Sequence, residues 1–325
     1  MKTVLKVAVA LLAVLALAVV GVYVWASVAS NRVMSQTLEA HTVDFPVPFP
    51  PGADDIPAPD AFETETREIA MARAVERGRH LVASRYVCTE CHGATFGGGV
   101  MVDAFPIGRI LGPNITTGQG SRTLNYTPAD WDRIVRHGIL PDGRPAAMPS
   151  EDFQLMSDQE LADIVAYVRS LPPVDNEVPP PSLGPLGKFL VATGELPLSA
   201  TLITSHHSPH PEYPPPTEAS VEFGKHVAGV CTGCHRQNFS GGPIVGGDPS
   251  WVPARNLTPH SDALGGWTLE QFTRALREGV RPDGTAVGMP MSLVAPYAQR
   301  MSDVEVEAIW MYLQSLPPVA SAAAP

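Results

Sequence analysis

All four cysteines fall in two clusters, Cys88-Thr89-Glu90-Cys91-His92 and Cys231-Thr232-Gly233-Cys234-His235. Two thiols three positions apart can add to the two vinyl groups of one porphyrin, and the adjoining imidazole then reaches its iron. C-x-x-C-H is the attachment signature of c-type haem. Zinc also takes paired cysteines, but from pairs usually about 15–20 residues apart; here 139 residues lie between them. A thioredoxin-like dithiol needs neither the histidine nor a second copy. The pattern predicts two covalently bound haem c groups, attached at Cys88 and Cys91 and at Cys231 and Cys234. His92 and His235 are the predicted iron ligands on one face.

Two methionines stand at matched positions downstream of these histidines. Met148 lies 56 positions after His92 and Met289 lies 54 after His235, each followed by proline. Proline removes a donor and stiffens the chain, which suits a loop that presents a thioether in one geometry. Methionine is commonly core filler. The paired spacing singles out Met148 and Met289 from the other eight; Met291 is the nearby alternative, and Met156 and Met301 read as packing residues.

These motifs sit inside a longer repeat. Tyr126 to Pro149 aligns without gaps on Trp267 to Pro290 at an offset of 141, and Met156-Ser157-Asp158 and Leu171-Pro172-Pro173-Val174 recur at an offset of 145. Asn114-Ile115-Thr116 recurs as Asn256-Leu257-Thr258. A unit of about 100 residues is too long for a solenoid repeat of 20–50, so the chain holds two copies of one domain.

The elements that must position the motifs read as helices. Ser157 with Glu160, and Ser302 with Glu305, form capping boxes ahead of apolar residues at i, i+3, i+4 and i+7. Leu-Pro-Pro ends both helices because proline cannot continue the hydrogen-bond ladder. Thr127-Pro128 and Thr268 with Gln271 start an earlier helix in each copy. Amphipathic stretches lead into Cys88 and Cys231, and no stretch alternates as a strand would. The fold class is all-α, with two tandem haem domains behind an N-terminal membrane helix.

That helix is the run from Val7 to Ala29, which carries no charge and follows Lys2 and Lys6. Its 23 residues span a bilayer core at about 1.5 Å each, whereas a secretory signal has an apolar region of about 7–15 residues. Ser27-Val28-Ala29 resembles a cleavage site, but the length favours a retained anchor. The lysines keep the N-terminus cytoplasmic and put the rest outside: single-pass in a bacterial inner membrane, with the haem domains periplasmic.

The expected divisions are an anchor at 1–31, an extended tether at 32–65, haem domains at 66–174 and 220–319, an interdomain linker at 175–219 and a tail at 320–325. The linker's apolar residues between Leu183 and Ile203 predict packing across both domains. The 325 residues carry 22 Lys+Arg against 33 Asp+Glu, a net charge of −11. Such a balance excludes nucleic acid as the main partner, since phosphate binding needs a cationic surface.

The order helix, C-x-x-C-H, Asn-x-Thr, Pro-Asp-Gly, Met-Pro and a helix ending in Leu-Pro-Pro resembles the class I cytochrome c domain, present twice. The chain resembles membrane-anchored dihaem c-type cytochromes. Its motifs are similar to those of the cytochrome subunits of bacterial alcohol and gluconate dehydrogenases, which usually carry three haem domains where this chain has two. The resemblance implies Met148 and Met289 as the second axial ligands. It implies redox protein partners: a dehydrogenase, a quinol-oxidising complex or a terminal oxidase.

Histidine–methionine ligation fills both axial positions and favours ferrous iron, so the expected chemistry is one-electron transfer, entering at one haem and leaving at the other. No catalytic residue is assigned. The alternative is a dihaem enzyme, of peroxidase or thiosulfate-oxidising type, with one labile axial ligand. His80 and His226, each following Gly-Arg or Gly-Lys, are expected to face solvent. His206, His207 and His210 read as linker residues, with a metal site as the alternative. Asn114 and Asn256 are expected to structure loops. Arg109 is a candidate partner for a haem propionate, or a surface residue.

Overall fold

A computed structural model describes residues 2–50, 63–244, 246–248 and 250–321. The chain opens with helix α1 (Lys2–Ser35), followed by α2 (Glu63–Ser84) and the short α3 (Cys88–His92), which is the first haem motif itself. Strands β1 (Gly99–Ala104) and β2 (Gly108–Gly112) come next, then α4 (Pro128–His137), a 3-10 turn at Ser150–Phe153, and α5 (Asp158–Ser170). Through the linker run β3 (Ser182–Leu183), α6 (Pro185–Thr193) and α7 (Ser199–Leu202). The second copy comprises α8 (Val221–Val227), a 3-10 turn at Ala228–Cys231, α9 (Thr232–His235), α10 (Leu269–Glu278), α11 (Met291–Ala298) and α12 (Asp303–Ser315).

The architecture is helical with one small sheet, which the alternation of the sequence did not signal. β1 and β2 form an antiparallel hairpin and β3 adds at its edge. Arg109 lies on β2 and reaches Asp103 across the hairpin at 3.2 Å, both side chains about half exposed. It is therefore a surface residue of the hairpin with its own carboxylate partner.

Each haem domain is built on a crossing between its first and last helix. α2 crosses α5 in the first copy, and α8 crosses α12 in the second. Glycine makes the approach feasible: a Cβ on Gly78 would fall 2.0 Å from the Asp163 carbonyl oxygen, and one on Gly224 would fall 1.9 Å from that of Ala308. The closing helices start as the sequence dictates. Ser157 and Ser302 accept from the backbone N–H of Glu160 and Glu305, whose carboxylates accept in return from the caps. Around the crossings lie two apolar cores: one includes Trp131, Met156, Leu161 and Val168, the other Phe223, Phe272, Met301 and Leu313. Met156 and Met301 thus pack, as expected.

The segment expected to be an extended tether is partly docked. α1 continues to Ser35, and Phe45 and Phe49 are buried in the first core. Val43 donates its N–H to Asp132 at 2.7 Å and Leu38 donates to the Gly143 carbonyl at 2.9 Å. Two phenylalanines can bury large apolar areas, which a free tether would leave in water. Residues 51–62 of that segment lie outside the described residues.

The linker also packs, chiefly on the first domain and on α1. α6 runs against α1, where Trp25 meets Phe189 edge-on at 6.2 Å and Lys188 lies over Tyr23. α1 is the one helix, among the described residues, long and apolar enough to cross a membrane. Farther along, Pro211 and Glu212 accept the first free N–H groups of α5, from Asp158 and Gln159.

Candidate functional site: two haem-attachment motifs that face each other's domain

Each C-x-x-C-H motif is a short helical turn that a defined loop completes. Nδ1 of His92 donates to the Pro113 carbonyl at 2.9 Å, and Nδ1 of His235 donates to the Arg255 carbonyl at 2.7 Å. A carbonyl can only accept, so each ring carries its proton on Nδ1 and keeps a lone pair on Nε2. This is the tautomer a metal-ligating histidine needs, held by an outer hydrogen bond. Burial shifts both imidazoles toward the neutral form.

The accepting carbonyls precede Asn114 and Asn256, and those asparagines fix the loop. Asn114 donates from Nδ2 to the Val174 carbonyl at 2.7 Å, while its Oδ1 accepts from the N–H and hydroxyl of Thr116. Asn256 repeats the arrangement, with Nδ2 on the Val319 carbonyl at 2.6 Å and Oδ1 accepting from the Thr258 N–H at 2.8 Å. Val174 and Val319 close the two Leu-Pro-Pro-Val sequences. The Asn-x-Thr motif therefore ties the histidine-orienting loop to the chain beyond the last helix of each domain.

No two of the four cysteines are joined in a disulfide. Burial pushes Cys88 and Cys231 up to about 12. They lie beside the two apolar cores, as does Met148 on the first. Partly buried sulfurs beside a preset imidazole fit a covalently attached porphyrin.

The methionines differ between the copies. Met148 is half-buried, and its carbonyl accepts from the Ser199 hydroxyl on α7 and from the Ser150 N–H at 2.8 Å. Met289 is 41% exposed and its sulfur accepts from the Ser292 hydroxyl at 3.0 Å. Met291 begins α11.

Between the domains lies a cluster that the sequence did not reveal. His226 sits in the second domain and donates from Nε2 to both oxygens of Glu160 in the first, each at 2.9 Å. His80 of the first domain reaches both oxygens of Glu305 in the second, at 3.1 and 3.0 Å. Arg85 bridges the two carboxylates, from Nη1 to Glu160 at 2.9 Å and from Nε to Glu305 at 2.6 Å, with its guanidinium 5.3 Å from the Phe223 ring centroid. Against the expectation for His80 and His226, both are interface residues; His226 is buried and His80 about 39% exposed at its side chain. Burial opposes ionisation of the two carboxylates, but the facing histidines and Arg85 outweigh it. Glu160 is lowered, and Glu305 is lowered to about 2.

The same interface reaches both haem motifs. Tyr297 of α11 donates to Glu90 at 2.5 Å and lies 2.6 Å from the Thr89 hydroxyl; Thr89 and Glu90 are the two middle residues of the first motif. Reciprocally, Asp152 of the first domain lies against Gly233 in the middle of the second motif. A Cβ there would fall 2.3 Å from Asp152 Oδ1, so glycine makes room for the carboxylate. Burial raises Asp152 to about 7, aided by Glu151 and opposed by a hydrogen bond from the Gly233 N–H.

Fold, motifs and reciprocal loops define a c-type cytochrome with two haem domains behind an apolar N-terminal helix. Residues 73–168 match the family described as cytochrome c oxidase, cbb3-type, subunit III, and residues 221–317 match cytochrome c. The chain is 30% identical over 277 residues to the cytochrome c subunit of the quinone alcohol dehydrogenase of Gluconacetobacter polyoxogenes, covering 77% of this chain and 57% of that one. It is 27% identical over 273 residues to the gluconate 2-dehydrogenase cytochrome c subunit of Pantoea cypripedii, covering 74% and 59%. A third relative is a dihaem cytochrome c-type protein of Cereibacter sphaeroides, 24% identical and covered over 82% of its length. The chain thus spans little more than half the length of the dehydrogenase subunits it matches. The two matches, each containing one Cys-x-x-Cys motif, point to two covalently bound haem c groups.

Proposed function

We propose that this cytochrome carries single electrons from a dehydrogenase or quinol-oxidising donor to a terminal acceptor at the outer face of a bacterial inner membrane. The observation that carries the reading is the reciprocal packing of the two haem motifs. Glu90 and Thr89 touch Tyr297 of the other domain, and Gly233 touches Asp152 of the other domain. Each attachment segment is therefore at the domain boundary, where a path between two prosthetic groups has to run.

The bound haems supply a ferric/ferrous couple, and the polypeptide supplies position, exclusion of water and electrostatics. Cys88, Cys91, Cys231 and Cys234 hold the groups. His92 and His235 would offer Nε2 to iron, and Met148 and Met289 would offer it sulfur. Ser199 and Ser150 grip the backbone of Met148. α1 spans the bilayer once with Lys2 and Lys6 inside, and Tyr23 and Trp25 meet Lys188 and Phe189 of α6 as aromatic residues do at a membrane boundary. The dehydrogenase names of the relatives support a donor of that kind.

Reductive titration of the membrane-extracted full chain tests the proposal. Two one-electron steps, both ferric haems low-spin, support the carrier. A high-spin ferric haem that takes cyanide at low concentration contradicts it and supports the dihaem enzyme.

A further inference from the structure

A buried histidine cluster in the first domain has no part in holding haem. His137 ends α4 and is fully buried; its counterpart in the second copy is Glu278. His206 and His210 come to it from the linker. His137 Nδ1 lies 3.2 Å from His206 Nδ1, and His137 Nε2 lies 3.5 Å from His210 Nε2. Asp132, one turn earlier on α4, completes a set with His137 and His210 whose donor atoms all lie within 4.8 Å of one another.

The hydrogen bonds around the cluster fix where its lone pairs are. His206 Nε2 faces the Ala200 carbonyl at 2.9 Å and His210 Nδ1 faces the Gln154 carbonyl at 3.0 Å, so both atoms carry the proton. That leaves His206 Nδ1 and His210 Nε2 as bare acceptors, both turned on His137. A neutral His137 ring has one N–H to give and two acceptors to meet. With its proton toward His206 Nδ1 or the neighbouring His41 carbonyl, two unprotonated Nε2 atoms face each other at 3.5 Å.

We propose that His137, His210 and Asp132 bind a first-row divalent cation of the zinc class, with His206 orienting His137 from the other side of its ring. Two imidazole nitrogens 3.5 Å apart suit bonds of about 2.0–2.1 Å in a tetrahedral site. Imidazole with carboxylate is the donor set such ions prefer. The backbone carbonyls on His210 and His206 are the outer partners that metal-ligating histidines normally have. Asp132 keeps capacity for the ion: Oδ2 accepts one bond, from Val43 N–H at 2.7 Å. Its other oxygen takes Arg136, whose charge is shared with Asp158 at 2.7 Å. The ion would staple the linker to α4 beside Ala200, next to the Ser199 that grips Met148.

The test uses the full-length holoprotein, treated with chelator and then equilibrated with Zn2+. One zinc per chain retained beyond the haem iron is expected, with a rise in the unfolding temperature. His210→Gln and Asp132→Asn should each weaken retention by more than about 10-fold, while His207→Gln, at an exposed neighbouring histidine, should not. The haem spectrum of each variant reports whether it has folded. No retained zinc in the folded wild type, or retention undiminished in folded His210→Gln and Asp132→Asn, overturns the proposal.

Discussion

His226, on a helix of the second haem domain, donates to the Glu160 carboxylate that caps a helix of the first, at 2.9 Å to each oxygen. The relation is mirrored by His80 and Glu305, so the capping carboxylate of each closing helix is also the acceptor for the other domain. Arg85 joins the halves. Removing one partner from a buried charge network leaves the rest desolvated and uncompensated, at a cost of about 3–5 kcal/mol. Glu160→Ala is therefore expected to lower unfolding stability by that order, measured by chemical denaturation of the holoprotein. An effect no larger than that of an exposed substitution would remove the network from the account.

The acid limb of stability follows from Glu305. Its carboxyl is held at about 2 by His80 and Arg85, below the ordinary value of 4.5. A lowered folded value stabilises at pH above the unfolded value, and that contribution fades as pH falls from about 4.5 toward 2. Melting temperature against pH should drop through this window in the wild type and less steeply in Glu305→Gln. Parallel curves would contradict it.

Asp152 acts in the opposite direction and near neutrality. Its folded value of about 7 lies above the ordinary 3.8, so stability falls as pH rises from about 4 to 7 and is level beyond. Ferric iron in a porphyrin attached at the neighbouring Cys231 and Cys234 would favour the ionised carboxylate and ferrous iron the protonated one. The potential of the second haem should therefore fall with pH around neutrality, by at most about 59 mV per unit. Asp152→Asn should flatten that slope; an unchanged slope would separate the residue from the haem.

Most of the chemistry was legible because it is local. The Asn-x-Thr turns and the Ser-x-x-Glu caps act within a few residues, and they form as their patterns require. What the pattern could not show is contact between distant segments. His80 and His226 looked solvent-facing because the carboxylates that pair with them are 225 and 66 residues away. His137 and His210 are 73 residues apart and meet only once the linker folds back. The β1–β2 hairpin escaped notice because its exposed residues do not alternate.

The loop clamp should respond to a single amide. Asn256→Ala leaves the Thr258 N–H without its partner and the Val319 carbonyl with the Thr258 hydroxyl alone, at a cost of about 1–3 kcal/mol. Because the same loop carries the Arg255 carbonyl that orients His235, the ferric spectrum of the second haem should change as well. Loss of stability with an untouched spectrum would show that the clamp does not orient the ring.

Ser199→Ala tests the grip on Met148. Its hydroxyl donates to the Met148 carbonyl and accepts from Ser150 N–H. If Met148 ligates the first haem as proposed, that haem's ferric charge-transfer absorption should weaken and its potential should fall. A response confined to the second haem would contradict the assignment of Met148.

The central claim is covalent attachment of two porphyrins at Cys88 and Cys91 and at Cys231 and Cys234. Intact mass measurement of the membrane-extracted protein, denatured without reductant, tests it most directly. The predicted mass is that of the polypeptide plus two haem groups, with no thiol left to alkylate. A bare polypeptide, or one whose four sulfurs are paired in disulfides, would contradict it.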